Sequence, residues 1–300
     1  MHAKVQHYVP QCYLRNFSTK ARKGYLVGCF DKSSRKSFRA NIKNVASQTK
    51  FYDFTDSHGN EVSFEEAFSD LETAAAQALK VVIDNPKMTT LLPYKEIFAE
   101  FFAVQDCRTP AFRDAQNDTI KVANRKLARH GLSFPEETED QEKEYQVRFL
   151  IETSANFANV LLNMKWILLA NKTSQPFWTS DNPIVKYNPL KDDMRSNLGL
   201  MCEGIQLYIP ISPYLAIVIC DPFGYAHSPD EINTTDLDNI NLNNSGQLAQ
   251  SKQYVFSVDN NFQIAQKWID ENPSAYDPNR PRVIDGSESM LQNYKNRNSE

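Results

Sequence analysis

The spacing of apolar residues changes twice along the chain, and this constrains the fold more than any other feature of the sequence. Residues 1–62 hold short apolar runs between polar turns, which is typical of strands, and residues 24–40 are expected to form a β-hairpin. Residues 63–163 instead repeat apolar side chains at helical spacing. From residue 164 the runs are again short and rich in β-branched and aromatic residues.

This order of elements predicts an α+β fold. Strands from both ends of the chain would form a mixed or antiparallel sheet, with a central helical bundle inserted between them. We expect residues 1–272 to form a single α+β domain, made of a strand-rich basic region (1–62), a helical insertion (63–163) and a second strand-rich region (164–272). Residues 273–300 are predicted to be a surface or disordered tail, because they are polar and contain few core-forming side chains.

Charge is distributed unevenly along the chain. The formal net charge is −4, yet the first 50 residues contain 11 basic side chains and a single acid, Asp31. The rest of the chain contains 22 basic and 36 acidic side chains. The basic N-terminal region could therefore bind nucleic acid or another anionic ligand. The alternative is that these lysines and arginines, many of which flank predicted turns, are merely solvated.

Several classes of protein are disfavoured by motifs that the sequence lacks. Its nine glycines form no GxGxxG or Walker-type phosphate loop, and there is no HExxH motif or Cys/His cluster that would be a zinc signature. The metal and the cofactor stay unknown, with a divalent metal ion as one option. The N-terminus does not resemble a secretory signal, and no apolar run reaches membrane-spanning length. With five widely spaced cysteines, these features predict a reduced, cytoplasmic protein without a membrane partner.

The first candidate site is the N-terminal segment QHYVPQCYLRNF, residues 6–17. Pro10 can begin a helical turn that places Gln11 and Arg15 on one face. His7 would then be a general base or a metal ligand, and Gln11 and Arg15 would contact the substrate. The alternative is that the aromatic side chains of the segment form a packing plug, with a hydrogen-bonded histidine in the core.

The second candidate site is the motif Thr-Ser-Asp-Asn-Pro, which lies between two predicted strands. Asp181 at the end of a strand could bind a metal ion or orient a histidine, with Ser180 and Asn182 contacting the substrate. We therefore predict His7 and Asp181 as catalytic residues and expect their segments to approach each other. The alternative is a simple turn, since the same Asp-Asn-Pro tripeptide also occurs at a predicted helix end, residues 84–86.

The third candidate is Arg108, which lies on an apolar predicted helix. An unpaired arginine is costly to bury, so an inward-facing Arg108 requires a partner. It could bind a phosphate group of the substrate, or it could hold two helices together through a structural ion pair. Four carboxylates are candidate partners: Glu66, Glu72, Asp106 and Asp181.

Two of these motifs resemble those of a known family. The runs HYVP and YLRNF near the N-terminus, followed later by TSDNP, are similar to the mainly bacterial family called domain of unknown function 4238. The similarity extends from about His7 to the strand near Val258. Relatives often have two adjacent histidines at the start of the first motif, whereas Gln6 takes the first position here. This difference weighs against a two-histidine metal site, and the resemblance itself implies no activity.

Two functional hypotheses follow. The first is a hydrolase or nuclease-type enzyme that acts on a phosphate-containing substrate, with His7 and Asp181 as catalytic residues and Arg15 or Arg108 binding the phosphate. The second is a non-catalytic sensor or interaction module for nucleic acid, a nucleotide or an acidic partner, in which the same side chains form a structural polar network. An enzyme acting on a small anion is a third option. The oligomeric state does not follow from the sequence.

Overall fold

A computed structural model describes residues 5–56, 58–63, 65–133, 135, 138–190 and 198–283 of the chain. Its helices are α1 (Gln11–Leu14), α2 (Ser69–Asp84), α3 (Met88–Leu91), α4 (Lys95–Cys107), α5 (Pro110–Ala128), α6 (Glu139–Leu162), α7 (Leu237–Gln250), α8 (Gln263–Glu271) and α9 (Pro273–Tyr276). Its strands are β1 (Val5–His7), β2 (Thr19–Ala21), β3 (Gly24–Asp31), β4 (Lys36–Asn41), β5 (Ser47–Thr49), β6 (Phe54–Thr55), β7 (Glu61–Val62), β8 (Lys165–Asn171), β9 (Thr179–Ser180), β10 (Val185–Tyr187), β11 (Gln206–Ser212), β12 (Leu215–Cys220), β13 (Glu231–Thr234) and β14 (Tyr254–Ser257). The strand, helix, strand order confirms the predicted α+β class.

One five-stranded sheet joins both ends of the chain, as the sequence predicts. We call it the composite sheet; it is antiparallel and contains β2, β3, β4, β9 and β14. The predicted hairpin is its β3–β4 pair. The C-terminal strand β14 lies between β3 and β9 and pairs with both. Residues 254–257 thereby connect the N-terminal hairpin to the Thr-Ser-Asp-Asn-Pro motif.

The remaining long strands form a second sheet, where the sequence predicts only one. This C-terminal sheet has the order β10-β11-β12-β8-β13 and is mixed, because β13 pairs with β8 in parallel while the other pairs are antiparallel. A tight turn joins β11 to β12, so these two strands pair with each other. Both strands are apolar on both faces and therefore need cover on each side of the sheet.

The helical bundle covers one face of the C-terminal sheet. Its central helix is α4, in which Phe98, Phe101 and Phe102 are almost completely buried. Helix α4 packs between α2 and α6. The bundle shares one continuous apolar core with Leu207 and Ile217 of the sheet. Most of α4 is buried, so this helix belongs to the core of the molecule rather than to its surface.

Helix α7 covers part of the opposite face of the C-terminal sheet. Its residue Ile240 packs against Val185, Tyr208 and Ala216. Gly246 allows the close approach of helix and sheet, since a Cβ atom there would lie 2.9 Å from Val185 Cγ1. Helix α7 leaves another part of this face uncovered, where Val218 and Ile232 are only partly buried.

The C-terminal segment contributes contacts as far as residue 283. Helix α9 packs against α7 and α8. Arg280 and Arg282 donate hydrogen bonds to the carbonyl groups of Ala249 and Gln250, at the end of α7. Residues 284–300 of the predicted tail lie outside the described residues.

Candidate functional site

Three of the motifs found in the sequence meet between the helical bundle and the two sheets. The hydroxyl group of Tyr13 lies 2.9 Å from Thr179 Oγ1 and also donates to the carbonyl of Pro210. Thr109, the N-cap of α5, donates to Asn182 Oδ1 at 2.9 Å. We call the central residues of these three motifs the motif hub. They are His7, Tyr8, Tyr13, Arg108, Thr109, Thr179, Ser180, Asp181 and Asn182.

Arg108 is fully occupied by protein partners. Its side chain is 1% exposed and pairs with Glu72, one of its four predicted partners, at 2.8 Å. Its Nε donates to the carbonyl of Tyr8 at 3.2 Å, and its Nη2 donates to the carbonyl of His7 at 3.1 Å. The guanidinium also lies over the ring of Phe68. These contacts fasten the first motif to helices α2 and α4, as the structural alternative predicts.

Asp181 is buried and accepts three backbone hydrogen bonds. Its Oδ1 accepts from the N–H of Lys252 at 2.7 Å, and its Oδ2 accepts from those of Gln253 and Tyr254 at 2.7 and 2.8 Å. Burial raises the pKa of this carboxyl group, while the three N–H groups and the Lys32 ammonium oppose that rise. The contacts hold the beginning of β14 against β9.

The two polar neighbours of Asp181 bind α7. Ser180 is fully buried, and its Oγ donates to Gln247 Oε1 at 2.7 Å. Asn182 Nδ2 donates to the carbonyl of Gln250 at 3.2 Å. The second motif thus sets the position of α7 relative to the composite sheet.

His7 is half-buried on β1 and keeps one polar atom without a partner. Burial lowers the pKa of its imidazole, so the ring is neutral at pH 7. Its Nε2 is buried and makes no hydrogen bond to any described residue. The preceding Gln6 is fully buried. Its side-chain Oε1 accepts a hydrogen bond from the N–H of Tyr52, and its Nε2 donates one to the carboxylate of Asp53.

The two predicted substrate ligands at α1, Gln11 and its C-cap residue Arg15, differ in exposure. Arg15 is exposed, and its guanidinium lies 5.0 Å from the centre of the Tyr25 ring on β3. Gln11 begins α1 and is half-buried. Arg15 and Arg108 share no contact in the described part of the chain. The two arginines therefore do not form a common clamp for one phosphate group.

The basic N-terminal region uses several of its charges within the fold. Arg35 forms an ion pair with Asp270 at 2.7 Å. Arg39 donates to the carbonyl of Val258. Lys32 is only 3% exposed, in spite of its place in the polar turn between β3 and β4. Part of the positive charge of the N-terminal region therefore serves contacts within the protein, as Lys32 in the interior shows.

Lys32 belongs to a group of three cations at the C-terminal end of α7. Its Nζ donates to the carbonyl of Ser251 at 3.1 Å, and Arg282 donates to the same carbonyl at 2.9 Å. Arg280 donates to the carbonyl of Ala249. Cations are favourable at this end of a helix because its carbonyl groups point outward. Burial nevertheless lowers the pKa of Lys32 to about 7.

A separate cavity of about 380 Å³ lies between the C-terminal sheet and α7. Its floor is the uncovered sheet face, with Ile167, Val218 and Ile232 among its apolar side chains. Val218 lies on β12, an inner strand, and yet stays partly exposed, as does Ile232. Leu242 of α7 lines the cavity and is 48% exposed. The volume and the apolar floor are typical of a small-molecule site.

The rim of this cavity is polar and almost uncharged. Lys186 is the one charged residue among the described residues that line it, and its Nζ is paired with Asp106 at 2.6 Å. Gln206 Nε2 donates to the hydroxyl of Tyr225, and Asn243 Nδ2 donates to Asn239 Oδ1 at 3.1 Å. The rim therefore offers amides and a phenol to a ligand, without an unpaired charge.

Tyr208 forms part of the cavity wall and has an unsatisfied hydroxyl group. Its ring packs edge-on against Phe177. The hydroxyl is buried and makes no hydrogen bond to any residue that the structure describes. Burial raises the pKa of this phenol well above its usual value, so it stays neutral. Buried polar groups without a partner are rare in native proteins and often mark functional sites.

Within the described ranges, no group of three His, Cys, Asp or Glu side chains could hold a metal ion. Within the same ranges, no helix is long and apolar enough to cross a membrane.

A family model described as "Protein of unknown function (DUF4238)" matches residues 5–261. The chain belongs to this family. The DUF4238 match includes every predicted site residue and the whole lining of the cavity, and it ends before Arg280 and Arg282. Comparisons with curated proteins and with solved structures found no match.

In this DUF4238 protein, sequence reasoning missed the cavity and Lys32. The lining of the cavity comes from five strands, α7 and the loop between β12 and β13, so its residues are scattered through the sequence, many of them in alternating positions. The alternation of Gln206 and Tyr208 along β11 is a weak signal for a strand face that is not wholly apolar. Lys32 has no local signal, because the turn KSSRK that begins with it is typical of a solvated loop.

Proposed function

We propose that the protein is a non-catalytic sensor module that binds a small molecule in the cavity between the C-terminal sheet and α7. One observation carries this proposal: the apolar floor around Val218 is left partly open in the middle of a sheet. Apolar surface on an inner strand is normally covered, and leaving it open costs about 25 cal/mol per Å². A ligand that covers this floor would recover that free energy.

The motif hub supports a binding module rather than a hydrolase. Arg108 and Asp181 are both buried and hydrogen-bonded to protein groups. A catalytic pair needs access to a substrate, whereas these side chains fasten β1, α4 and β14 together. The hub therefore suits a scaffold that positions the sheet and α7 around the cavity.

The test uses the neutral fluorescent probe N-phenyl-1-naphthylamine, whose emission rises in apolar surroundings. We expect the wild-type protein to bind the probe. Val218→Phe fills the floor and should weaken binding at least about tenfold, a change of roughly 1.4 kcal/mol. The matched control is Val81→Phe, at a 40% exposed position on α2, which should bind like wild type. Equal binding by wild type and Val218→Phe would contradict the proposal.

A second candidate function is hydrolysis of a phosphate-containing substrate, and one observation favours it. The neutral His7 ring has a buried Nε2 without a partner in the described part of the chain, and a neutral imidazole is a competent general base. Under this hypothesis, His7→Ala abolishes degradation of nucleic acid or nucleotides without lowering thermal stability. The matched control is His130→Ala, at an exposed position. Absence of such activity in the wild-type protein would refute the hypothesis.

A further inference from the structure

The chemistry of the cavity restricts the ligand that it can hold. The identity of the ligand rests on the function proposed above and deepens it. We propose that the ligand is a flat, uncharged nitrogen heterocycle of nucleobase size. Three properties of the lining lead to this class: its charge, the hydrogen-bonding groups of its rim and its aromatic side chains.

The charge of the lining excludes an ionic ligand. Lys186 is the one charged side chain among the described residues of the cavity, and Asp106 neutralises it. A phosphate or carboxylate group placed here would lose its hydration without gaining a cation, which is strongly unfavourable. The head group of a fatty acid and the phosphate of a nucleotide are both disfavoured on this ground.

The rim offers donors and acceptors in the mixture that nucleobase edges require. Gln206 uses its Nε2 on Tyr225, and Asn243 uses its Nδ2 on Asn239. The side-chain carbonyl oxygens, Oε1 of Gln206 and Oδ1 of Asn243, accept no hydrogen bond from any described residue. Side-chain amides recognise the adjacent donor and acceptor groups of a base through such atoms. An aliphatic ligand would leave these groups unpaired at a cost.

The aromatic side chains in the lining favour a flat molecule. The pleated face of the C-terminal sheet is the floor of the cavity, and residues of α7 line it as well. Tyr187, Tyr208 and Tyr225 add aromatic surface, on which a planar heterocycle can stack or pack edge-on. A volume of about 380 Å³ is at the small end of ligand pockets, which suits a single or fused ring.

The experiment measures displacement of N-phenyl-1-naphthylamine by adenine, hypoxanthine, cytosine and uracil, with binding confirmed by saturation-transfer NMR. We expect at least one base to displace the probe. We expect the corresponding nucleoside monophosphate to bind at least about tenfold more weakly, because it introduces an uncompensated charge. A monophosphate that binds more tightly than its base would overturn the assignment.

Two variants separate failure of this inference from failure of the proposed function. Asn243→Leu removes one amide of the rim and should weaken base binding about tenfold, the value of one hydrogen bond. Asn159→Leu, at an exposed position on α6, is the matched control. If the probe binds the cavity in a Val218→Phe-sensitive way but no base displaces it, the ligand class is wrong and the function stands. If the probe does not bind at all, both are wrong.

Discussion

The two copies of the tripeptide Asp-Asn-Pro give a sharp test of what the motif hub does. Asp181 lies in the interior, 1% exposed, and holds three backbone N–H groups. Asp84 belongs to the other copy and is exposed at the end of α2. The same substitution, aspartate to asparagine, can therefore be made in both. It changes the volume of the side chain very little and removes one charge in each case.

The magnitude follows from the contacts of Asp181. An asparagine can keep only one carboxylate-like oxygen, so its amide N–H₂ group must face at least one backbone donor that now has no acceptor. Hydrogen bonds to a charged group contribute about 1.5–3 kcal/mol each, and breaking a buried charged cluster costs about 3–5 kcal/mol in total. We expect Asp181→Asn to lower the free energy of unfolding by about 3–5 kcal/mol at pH 7. Asp84→Asn should change it by less than about 0.5 kcal/mol.

The assay is equilibrium unfolding in urea, monitored by tryptophan fluorescence, with both variants at the same pH and salt concentration. A destabilisation of Asp181→Asn below about 1 kcal/mol would refute the structural role, because at least one hydrogen bond to the carboxylate is lost and the others lose their charge. Loss of a biochemical activity with unchanged stability would instead favour the catalytic role that the sequence predicts for Asp181.

Three further predictions concern the packing around the hub. Lys32→Met should stabilise the protein at pH 7, and this gain should shrink by about 3 kcal/mol by pH 10. The reason is that the pKa of Lys32 is about 7 in the folded protein, whereas the unfolded chain keeps the proton up to about pH 10.5. The stability of the wild-type protein therefore rises with pH between these two values. A gain that is constant from pH 7 to pH 10 would contradict this. Glu72→Ala leaves buried Arg108 without its carboxylate partner and should lower the free energy of unfolding in urea by about 2–3 kcal/mol. The loss is not larger because Glu72 is 30% exposed and water screens part of the interaction. An unchanged urea midpoint would show that the ion pair is dispensable. Gly28→Ala places a Cβ atom 2.6 Å from Asn260 Cα and should lower stability by about 1–3 kcal/mol, whereas a neutral result would mean that the neighbouring loop gives way.

Local patterns in the sequence predicted most of the elements correctly. The β3–β4 hairpin, the buried α4 and the strands β11 and β12 each have a periodicity or a turn signal within a few residues. The motifs around His7, Arg108 and Asp181 could also be identified, because each combines polar side chains with proline in a short run. Glu72 was among the four predicted partners of Arg108 because a buried charge requires a partner of opposite charge and few carboxylates were available nearby.

Helix boundaries were less accurate. The helical pattern predicts a helix from Ser63, whereas α2 begins at Ser69 after a 3₁₀ turn over Glu65–Phe68. The roles of His7 and Asp181 as catalytic residues stay predictions. The surroundings of His7 and Asp181 depend on the hydrogen bonds that the folded chain forms, and residue types alone do not specify these bonds.

The sequence by itself determined the class of the fold, the position of the motifs and the membership of the family. Only the tertiary structure decided that the longer strands divide between two five-stranded sheets, that Lys32 is interior and that α7 leaves a cavity on the C-terminal sheet. The contact of Lys32 with Ser251 joins residues 219 positions apart, and that of Ser180 with Gln247 joins residues 67 apart. Contacts at such separations depend on how whole elements pack, whereas periodicity and turn chemistry act over a few residues. The uneven distribution of charge along the chain therefore could not reveal which of the basic side chains would be buried.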